Sequence, residues 1–171
     1  MRYEILVLRK NNTGLISNIS ILKSNKMSAK KFFTTHQQKA IIDSIAKAEL
    51  NTSGEIRVHI DDDCKEDVLE KAAKIFHKLK MNKTELRNGV LFYLAVNDRK
   101  FAILGDKGIH EKVTDNFWDN IKEKMLIHFK QSQFTEGLSI GIEMAGEKLK
   151  THFPLQVNDT NELNNDISFG K

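Results

Sequence analysis

The stretch from Arg87 to Ile109, RNGVLFYLAVNDRKFAILGDKGI, holds two apolar runs separated by a short polar segment. Gly89 to Val96 and Phe101 to Leu104 lack the polar alternation of a half-exposed strand, which predicts two strands that are covered on both faces. The segment NDRK at 97–100 begins with turn-forming residues, so an antiparallel hairpin is expected. The sequence therefore predicts that this hairpin lies at the centre of a sheet.

The segment before the hairpin predicts a further strand and a connecting helix. Residues 55–60 alternate in polarity, with Ile56, Val58 and Ile60 on one face, as in a strand. A helix expected over about 65–80 then leads to the Gly89 strand, and such a crossover makes the two strands parallel. Because the hairpin returns antiparallel, we expect a mixed sheet.

Three further helices are expected to pack on this sheet. Apolar residues at helical spacing predict helices over about 35–50, beginning with Thr35 as N-cap, about 111–130 and about 135–152. In the last helix, small residues recur every fourth position, which favours close helix packing; they are Gly137, Gly141 and Ala145. We therefore predict an α/β fold, a three-layer sandwich with a mixed central β-sheet and helices on both faces.

Charge and composition divide the 171 residues into one domain and two tails. The first 31 residues carry seven Lys or Arg and one acid, so the other 140 carry a net charge of −2. We predict a basic, flexible arm over 1–34, a domain over 35–154 and a disordered polar tail over 155–171, with Met1 and Met27 as alternative translation starts. Because the positive charge lies in the arm, nucleic-acid binding is not expected.

The chain is not expected to span a membrane, because no apolar run approaches the roughly 18 to 20 residues that a span needs. The first residues do not resemble a secretory signal, since the apolar patch ends at once in Arg9 and Lys10. The lone Cys64 cannot form an internal disulfide. These features favour a cytoplasmic location.

Strand direction predicts that three polar segments meet at one edge of the sheet. They are Ser53-Gly54-Glu55, Arg87-Asn88-Gly89 and Gly105-Asp106-Lys107-Gly108. Their oxygen atoms suit a hard cation such as Ca²⁺ or Mg²⁺. Arg87 can hold a carboxylate or receive a phosphate, or it pairs with Glu55 or Asp106 as a structural ion pair.

The opposite edge of the sheet offers an alternative metal site. It collects the carboxyl ends of the parallel strands, where ligands of open α/β sheets usually bind. Its candidate ligands are Asp61, Asp62, Asp63 and Asp98. We favour a structural interpretation of three of them, in which Asp61 to Asp63 end the strand and favour the N-terminus of the next helix through its dipole. Motifs for zinc, nucleotide or thiol chemistry are absent from the sequence, so a nucleophilic enzyme is unsupported.

Four short motifs in order resemble the TPM domain family, which occurs in thylakoid-lumen photosystem II repair proteins and in bacterial relatives. The motifs are Thr52-Ser53-Gly54-Glu55-Ile56-Arg57-Val58, Ala72-Ala73 with Phe76, Arg87-Asn88-Gly89-Val90-Leu91, and Ile103-Leu104-Gly105-Asp106-Lys107-Gly108-Ile109. The resemblance covers about residues 35–153. It implies an α/β sandwich, binding of divalent cations, chiefly calcium, and a phosphatase activity in some members.

The resemblance also implies site residues. Glu55, Asn88 and Asp106 match positions expected to hold the cation, and Arg87 and Lys107 are candidates for binding phosphate or carboxylate. We expect a cation-binding domain that acts as a protein-interaction module. The alternative is a metal-dependent phosphatase in which Arg87 stabilises charge on the phosphoryl oxygens.

Overall fold

Residues 3–7, 26–114, 116–156 and 161–170 are described by a computed structural model. The strands and α-helices within these ranges are, in chain order, β1 (Tyr3–Val7), α1 (Ala29–Phe32), α2 (Thr35–Glu49), β2 (Glu55–Asp61), α3 (Val68–Lys78), β3 (Gly89–Ala95), β4 (Lys100–Gly105), α4 (Lys107–His110), α5 (Phe117–Lys130), α6 (Phe134–His152) and β5 (Ser168–Phe169). A 3₁₀ turn at Met81–Lys83 follows α3. Among these described helices, none is long and apolar enough to cross a lipid bilayer.

The predicted hairpin is confirmed and lies in the middle of a sheet with the order β1-β4-β3-β2-β5. β3 and β4 pair antiparallel, with Tyr93 opposite Ala102, and Arg99 takes a left-handed φ of 52° in the turn. Every residue of β3 is buried. The apolar run without alternation is thus explained by cover on both faces.

The predicted parallel pair is also confirmed. β2 and β3 run parallel, with Glu55 opposite Gly89 and Ile60 opposite Leu94, and α3 lies in the connection between them. Since β4 is antiparallel to β3, the sheet is mixed, as expected. This topology brings the starts of β2 and β3 and the end of β4 to one edge.

Helices cover both faces of the sheet, which makes the domain a three-layer sandwich. On one face, residues of α2, α5 and α6 form a core with Ile56, Val58 and Phe92. On the other face, α3 packs over Leu91 and Tyr93. The glycines of α6 serve close packing, as predicted, because a Cβ on Gly137 would lie 2.5 Å from the Phe129 ring.

Two helix starts differ from those that the sequence predicted. The N-cap of α2 is Thr34 rather than Thr35: Thr34 Oγ1 accepts a hydrogen bond from Gln37 N at 3.2 Å, and Gln37 Oε1 accepts one from Thr34 N at 2.9 Å. The helix expected over 111–130 is preceded by a separate short helix. Asp106 caps α4 directly after β4, and α5 begins only at Phe117 after a turn.

Both ends of the chain add a strand to the sheet, where we expected a flexible arm and a disordered tail. Tyr3–Val7 pairs antiparallel with β4, and β5 pairs parallel with β2. Strand pairing satisfies the backbone groups that an edge strand leaves open, and Ile167 adds a buried apolar anchor. The remainder of the predicted arm and tail, residues 1–2, 8–25, 157–160 and 171, lies outside the described residues, and the domain boundaries stay a prediction.

Candidate functional site

The three polar segments predicted to meet at one edge of the sheet do lie on neighbouring strands there. Glu55 starts β2 opposite Gly89, and Gly105 ends β4 opposite Val90. Asp106 N donates a hydrogen bond to Gly89 O at 2.9 Å, which ties the end of β4 to the start of β3. The candidate ligands therefore share one edge, which we call the ligand edge.

Asp106 on the ligand edge is held by Arg87. Arg87 Nε donates to Asp106 Oδ2 at 2.7 Å and Arg87 Nη2 donates to Oδ1 at 2.8 Å, a bidentate pair that raises the pKa of Arg87. Asp106 is fully buried, and its Oδ1 also accepts from Lys107 N at 2.8 Å, which caps α4. The Lys107 side chain is exposed and lies 3.7 Å from Glu111. The ion pair that we considered for Arg87 is thus formed with Asp106.

The two glycines beside Asp106 are needed for close approach. Neither Gly105 nor Gly108 has a positive φ. A Cβ on Gly108 would lie 2.2 Å from Leu86 O, and one on Gly105 would lie 2.3 Å from the Trp118 ring. Both positions therefore need glycine because neighbouring atoms approach closely, and not because the backbone is left-handed.

Asn88 carries a buried oxygen atom to which none of the described residues donates a hydrogen bond. Its Nδ2 donates to Ser53 O at 3.0 Å, which fixes the orientation of the amide. Its Oδ1 has no hydrogen-bond partner among the described residues, and the side chain is 1% exposed. Burying an acceptor in this state costs about 1–3 kcal/mol unless a ligand satisfies it.

Glu55 faces a cavity of about 190 Å³ that opens beside the start of β2. Glu55 Oε1 accepts a hydrogen bond from Glu162 N at 2.7 Å. The cavity is lined by three groups of residues: the end of α2, the segment from Thr52 to Glu55, and the C-terminal residues Leu155, Asn161 and Asn165. The site is therefore built partly by the tail that the sequence had predicted to be disordered.

Glu49 is a site residue that the sequence analysis missed. It ends α2, lines the same cavity as Glu55, and its Oε1 accepts from Ile56 N at 2.6 Å. Burial raises the pKa of Glu49 to about 8; the charge of Glu55 adds to the rise, whereas the bond from Ile56 and the nearby Asn165 side chain oppose it. The sequence did contain one indication of the role of Glu49, because this carboxyl group lies on the otherwise apolar stripe of α2.

The carboxylates of the opposite edge each have a structural partner. Asp61 is buried and accepts from Tyr93 Oη at 2.9 Å; Asp62 accepts from Ala29 N at 2.6 Å; Asp98 accepts from Cys64 N at 2.6 Å. Asp63 pairs with Lys26 at 3.0 Å. β2 ends at Asp61, as the structural interpretation expected, and the side chain that caps the N-terminus of α3 is Asp67. Within the described ranges, no three His, Cys, Asp or Glu side chains gather as a metal site.

Comparisons with known proteins place the chain among related domains. The family model of the TPM domain matches residues 27–148. The BA42 protein from the psychrophilic bacterium Bizionia argentinensis, which has an NMR structure, is 49% identical to this chain in sequence. The two structures superpose with a TM-score of 0.77, and the match covers 82% of this chain and 97% of that one. The comparison with curated proteins finds no match.

Two more distant structures share the fold. The N-terminal domain of a protein from P. gingivalis is 17% identical with a TM-score of 0.59, covering 71% of this chain and 79% of that one. The N-terminal domain of the cg2496 protein from Corynebacterium glutamicum is 15% identical with a TM-score of 0.52, covering 79% and 86%. At this identity, the likeness concerns the fold alone.

Proposed function

The chain belongs to the TPM domain family, and from this premise we propose that it binds a divalent cation, Ca²⁺ or Mg²⁺, at the ligand edge and acts as a protein-interaction module. Glu55, Asn88 and Asp106 supply the protein oxygen ligands. Carboxylate and amide oxygens are the donors that both cations prefer. A bound cation would add the positive charge that stabilises ionised carboxylates in a buried site.

The observation that carries this proposal is the carbonyl oxygen of Asn88. It is buried, it has no hydrogen-bond partner among the described residues, and the bond from Asn88 Nδ2 to Ser53 O leaves it unable to exchange places with the amide nitrogen. A cation would satisfy this acceptor directly. Glu55, whose Oε1 accepts a hydrogen bond from Glu162 N, starts the adjoining strand two residues after Ser53.

Asp106 can bind the cation only if its ion pair with Arg87 breaks. Both oxygens of Asp106 accept from Arg87. The Arg87 side chain is 45% exposed, so its guanidinium can turn into water when a cation takes its place. We therefore propose Asp106 as a ligand that pairs with Arg87 when the site is empty and with the cation when it is bound.

The interaction role is supported by apolar residues beside the cavity. Leu50 is 68% exposed and Leu155 is 54% exposed, and both line the cavity that Glu49 and Glu55 face. An exposed apolar patch with a polar rim is typical of a surface that binds a partner. The proposal predicts that partner binding changes when Leu50 and Leu155 are both replaced by Ser. Pull-downs with the wild type and with this double variant would measure the change.

The cation proposal is tested by calorimetric titration of metal-free protein with CaCl₂ and, separately, with MgCl₂. We expect Glu55→Gln and Asn88→Ala to weaken binding by at least about tenfold. Asp106→Asn should weaken it as well, and should also lower the free energy of unfolding, because the Arg87 pair is lost. Unfolding in urea without metal separates these two effects.

Asp63→Asn and Asp98→Asn are the matched controls, because they remove a carboxylate charge from the opposite edge. Both should leave cation binding unchanged. Asp61 is left intact, since it is buried against Tyr93 and its change would disturb the fold. Loss of binding in the control variants, with Glu55→Gln unaffected, would move the site to the opposite edge; no heat from any protein with either cation would end the proposal.

A metal-dependent phosphatase is the second candidate, and one observation favours it. Burial raises the pKa of Glu49 to about 8, and Glu49 shares a cavity with Glu55. A carboxyl group that keeps its proton near neutral pH is what general acid catalysis requires. The test is hydrolysis of an aryl phosphate with Mg²⁺, Mn²⁺ or Ca²⁺ between about pH 5 and pH 9. Turnover that disappears in Glu49→Gln would support this candidate, and absence of turnover in the wild type would reject it.

A further inference from the structure

The outer edge of β2 is covered by residues 161–170, which we call the strap. Alternate residues of β2, namely Glu55, Arg57, His59 and Asp61, are polar and yet at most 9% exposed. β3, by contrast, is an almost wholly apolar run (GVLFYLA), as is usual for a strand buried permanently. Water can solvate the polar residues of β2 whenever the strap leaves, so this surface suits a contact that opens and closes.

Ser168 is recognised by β2 through its side chain. β5 pairs parallel with β2, placing Ser168 opposite His59 and Phe169 opposite Ile60. Ser168 Oγ lies 2.8 Å from His59 Nδ1 and donates to Val58 O at 3.2 Å. The far side of the imidazole is held as well, because His59 Nε2 lies 3.2 Å from Asp61 Oδ1. The hydroxyl thus docks on a prearranged polar group.

Gly170 is recognised because no side chain fits at its position. Its N donates to Ile60 O at 3.0 Å, which continues the pairing of the strap with β2. A Cβ on Gly170 would lie 1.6 Å from Asp61 Oδ1 and 3.2 Å from His59 Nε2. Asp61 cannot move aside easily, because it accepts a hydrogen bond from Tyr93 Oη at 2.9 Å. Position 170 therefore selects glycine.

Charge and apolar contacts complete the recognition. Burial lowers the pKa of Arg57, and the negative charge of Asp166 on the strap opposes that shift. Ile167 is buried in the hydrophobic core beneath β2, and Phe169 packs against the same core. Asp166, Ile167, Ser168, Phe169 and Gly170 thus each meet a distinct feature of the domain.

We propose that the outer edge of β2 is a recognition site for an extended peptide with an acid, an apolar residue, Ser, an aromatic residue and Gly in that order, and that its resident ligand is the chain's own strap. Addition of a strand to an exposed sheet edge is an established mode of peptide recognition, in which backbone bonds give affinity and side-chain contacts give selectivity. The strap docks and releases while the rest of the domain stays folded. The cation proposal is not needed for this inference.

The test uses the full chain with Gly170→Val, which prevents its own strap from docking, and a fluorescent peptide of residues 161–171, NELNNDISFGK. We expect the peptide to bind the variant at least about tenfold more tightly than the wild type, whose tethered strap competes at high effective concentration. The same peptide with Gly170→Val is the matched probe and should bind neither protein. Equal binding of the peptide to both proteins, or equal binding of both peptides, would overturn the proposal.

Hydrogen exchange on the wild type keeps the proposal testable if the variant fails to fold. Gly170 N donates to Ile60 O, and Glu162 N donates to Glu55 at the other end of the strap. Both amides should exchange together, at least about a hundredfold faster than the amide of Leu91 in β3, since release of the strap requires no global unfolding. If the Glu162 amide exchanged as slowly as the Leu91 amide, the proposal would be overturned. This holds even if the Gly170 amide exchanges fast, because fast exchange there alone would mean only that the end of the chain frays.

Discussion

At the scale of single residues, the cavity beside β2 holds two carboxyl groups in different environments. Desolvation of its half-buried carboxyl group raises the pKa of Glu49 to about 8. The ordinary pKa of a Glu is about 4.5, so between these two pH values the folded protein holds a proton that the unfolded chain has released. The free energy of unfolding should therefore fall as pH rises through this range.

Replacement of Glu49 by Gln should remove this part of the pH dependence. The neutral Gln amide can still accept the bond from Ile56 N through its oxygen. At about pH 8.5, Glu49→Gln should be more stable than the wild type by about 2–5 kcal/mol, since a pKa raised from 4.5 to about 8 corresponds to about 5 kcal/mol. Near pH 4.5 the two proteins should agree within about 0.5 kcal/mol. Urea unfolding of metal-free protein at both pH values measures the difference.

Glu143, exposed on α6, provides the matched control for Glu49. Glu143→Gln should change the stability by less than about 0.5 kcal/mol at either pH. A Glu49→Gln variant that matches the stability of the wild type at both pH values would show that folding does not raise the pKa of Glu49.

At the scale of elements, the ligand edge depends on how closely α4 approaches the segment before β3. Gly108 N donates to Arg87 O at 2.8 Å, and a Cβ at Gly108 would lie 2.2 Å from Leu86 O and 2.7 Å from Arg87 O. These neighbours are backbone atoms, which cannot rotate away as the end of a long side chain can. The short helix that carries Asp106 at its N-cap is thus held against the segment that carries Arg87.

Gly108→Ala should consequently destabilise the domain. Alanine has the higher helix propensity, by about 1 kcal/mol, but the overlap with two carbonyl oxygens should outweigh this gain and lower the free energy of unfolding by about 1–3 kcal/mol. Urea unfolding measures the loss. Lys112→Ala, on an exposed position just after α4, is the control and should stay within about 0.5 kcal/mol of the wild type. A stabilised Gly108→Ala variant would contradict the close approach.

At the scale of the whole molecule, the tail adds one buried residue to a core that is otherwise built by residues up to Phe153. Ile167 is 7% exposed and belongs to the larger core cluster, whereas β5 contributes only two residues to the sheet. A chain shortened to end at Gln156 should therefore fold with the same far-UV circular dichroism, and should lose about 1–3 kcal/mol of stability.

Ile167→Ala in the full chain should reproduce a large part of that loss, since it removes the buried apolar anchor and leaves the strap in place. Thermal and urea unfolding of both proteins measure the two effects. A shortened chain that no longer folds would mean that the tail is part of the folding unit, and the predicted boundary of the domain at residue 154 would then be wrong.

The extent of what the sequence predicted is clearest at the ligand edge. The direction of three strands was enough to place Glu55, Asn88 and Asp106 at one edge, and the register agrees with that placement. The state of each side chain was beyond such reasoning. Apolar periodicity does not encode atomic distances between side chains. It could therefore not show that Asp106 pairs with Arg87, or that none of the described residues donates a hydrogen bond to Asn88 Oδ1.

The sequence by itself determined the central hairpin, the parallel pair and the family, because apolar periodicity and short motifs are local properties of the chain. Only the tertiary structure decided that Glu49 lies half-buried in the same cavity as Glu55 and that the strap covers β2. The bond from Glu162 to Glu55 joins residues 107 positions apart. Contacts at that separation arise from the packing of whole elements, and a polar tail with few apolar residues gives no local pattern from which they could be read.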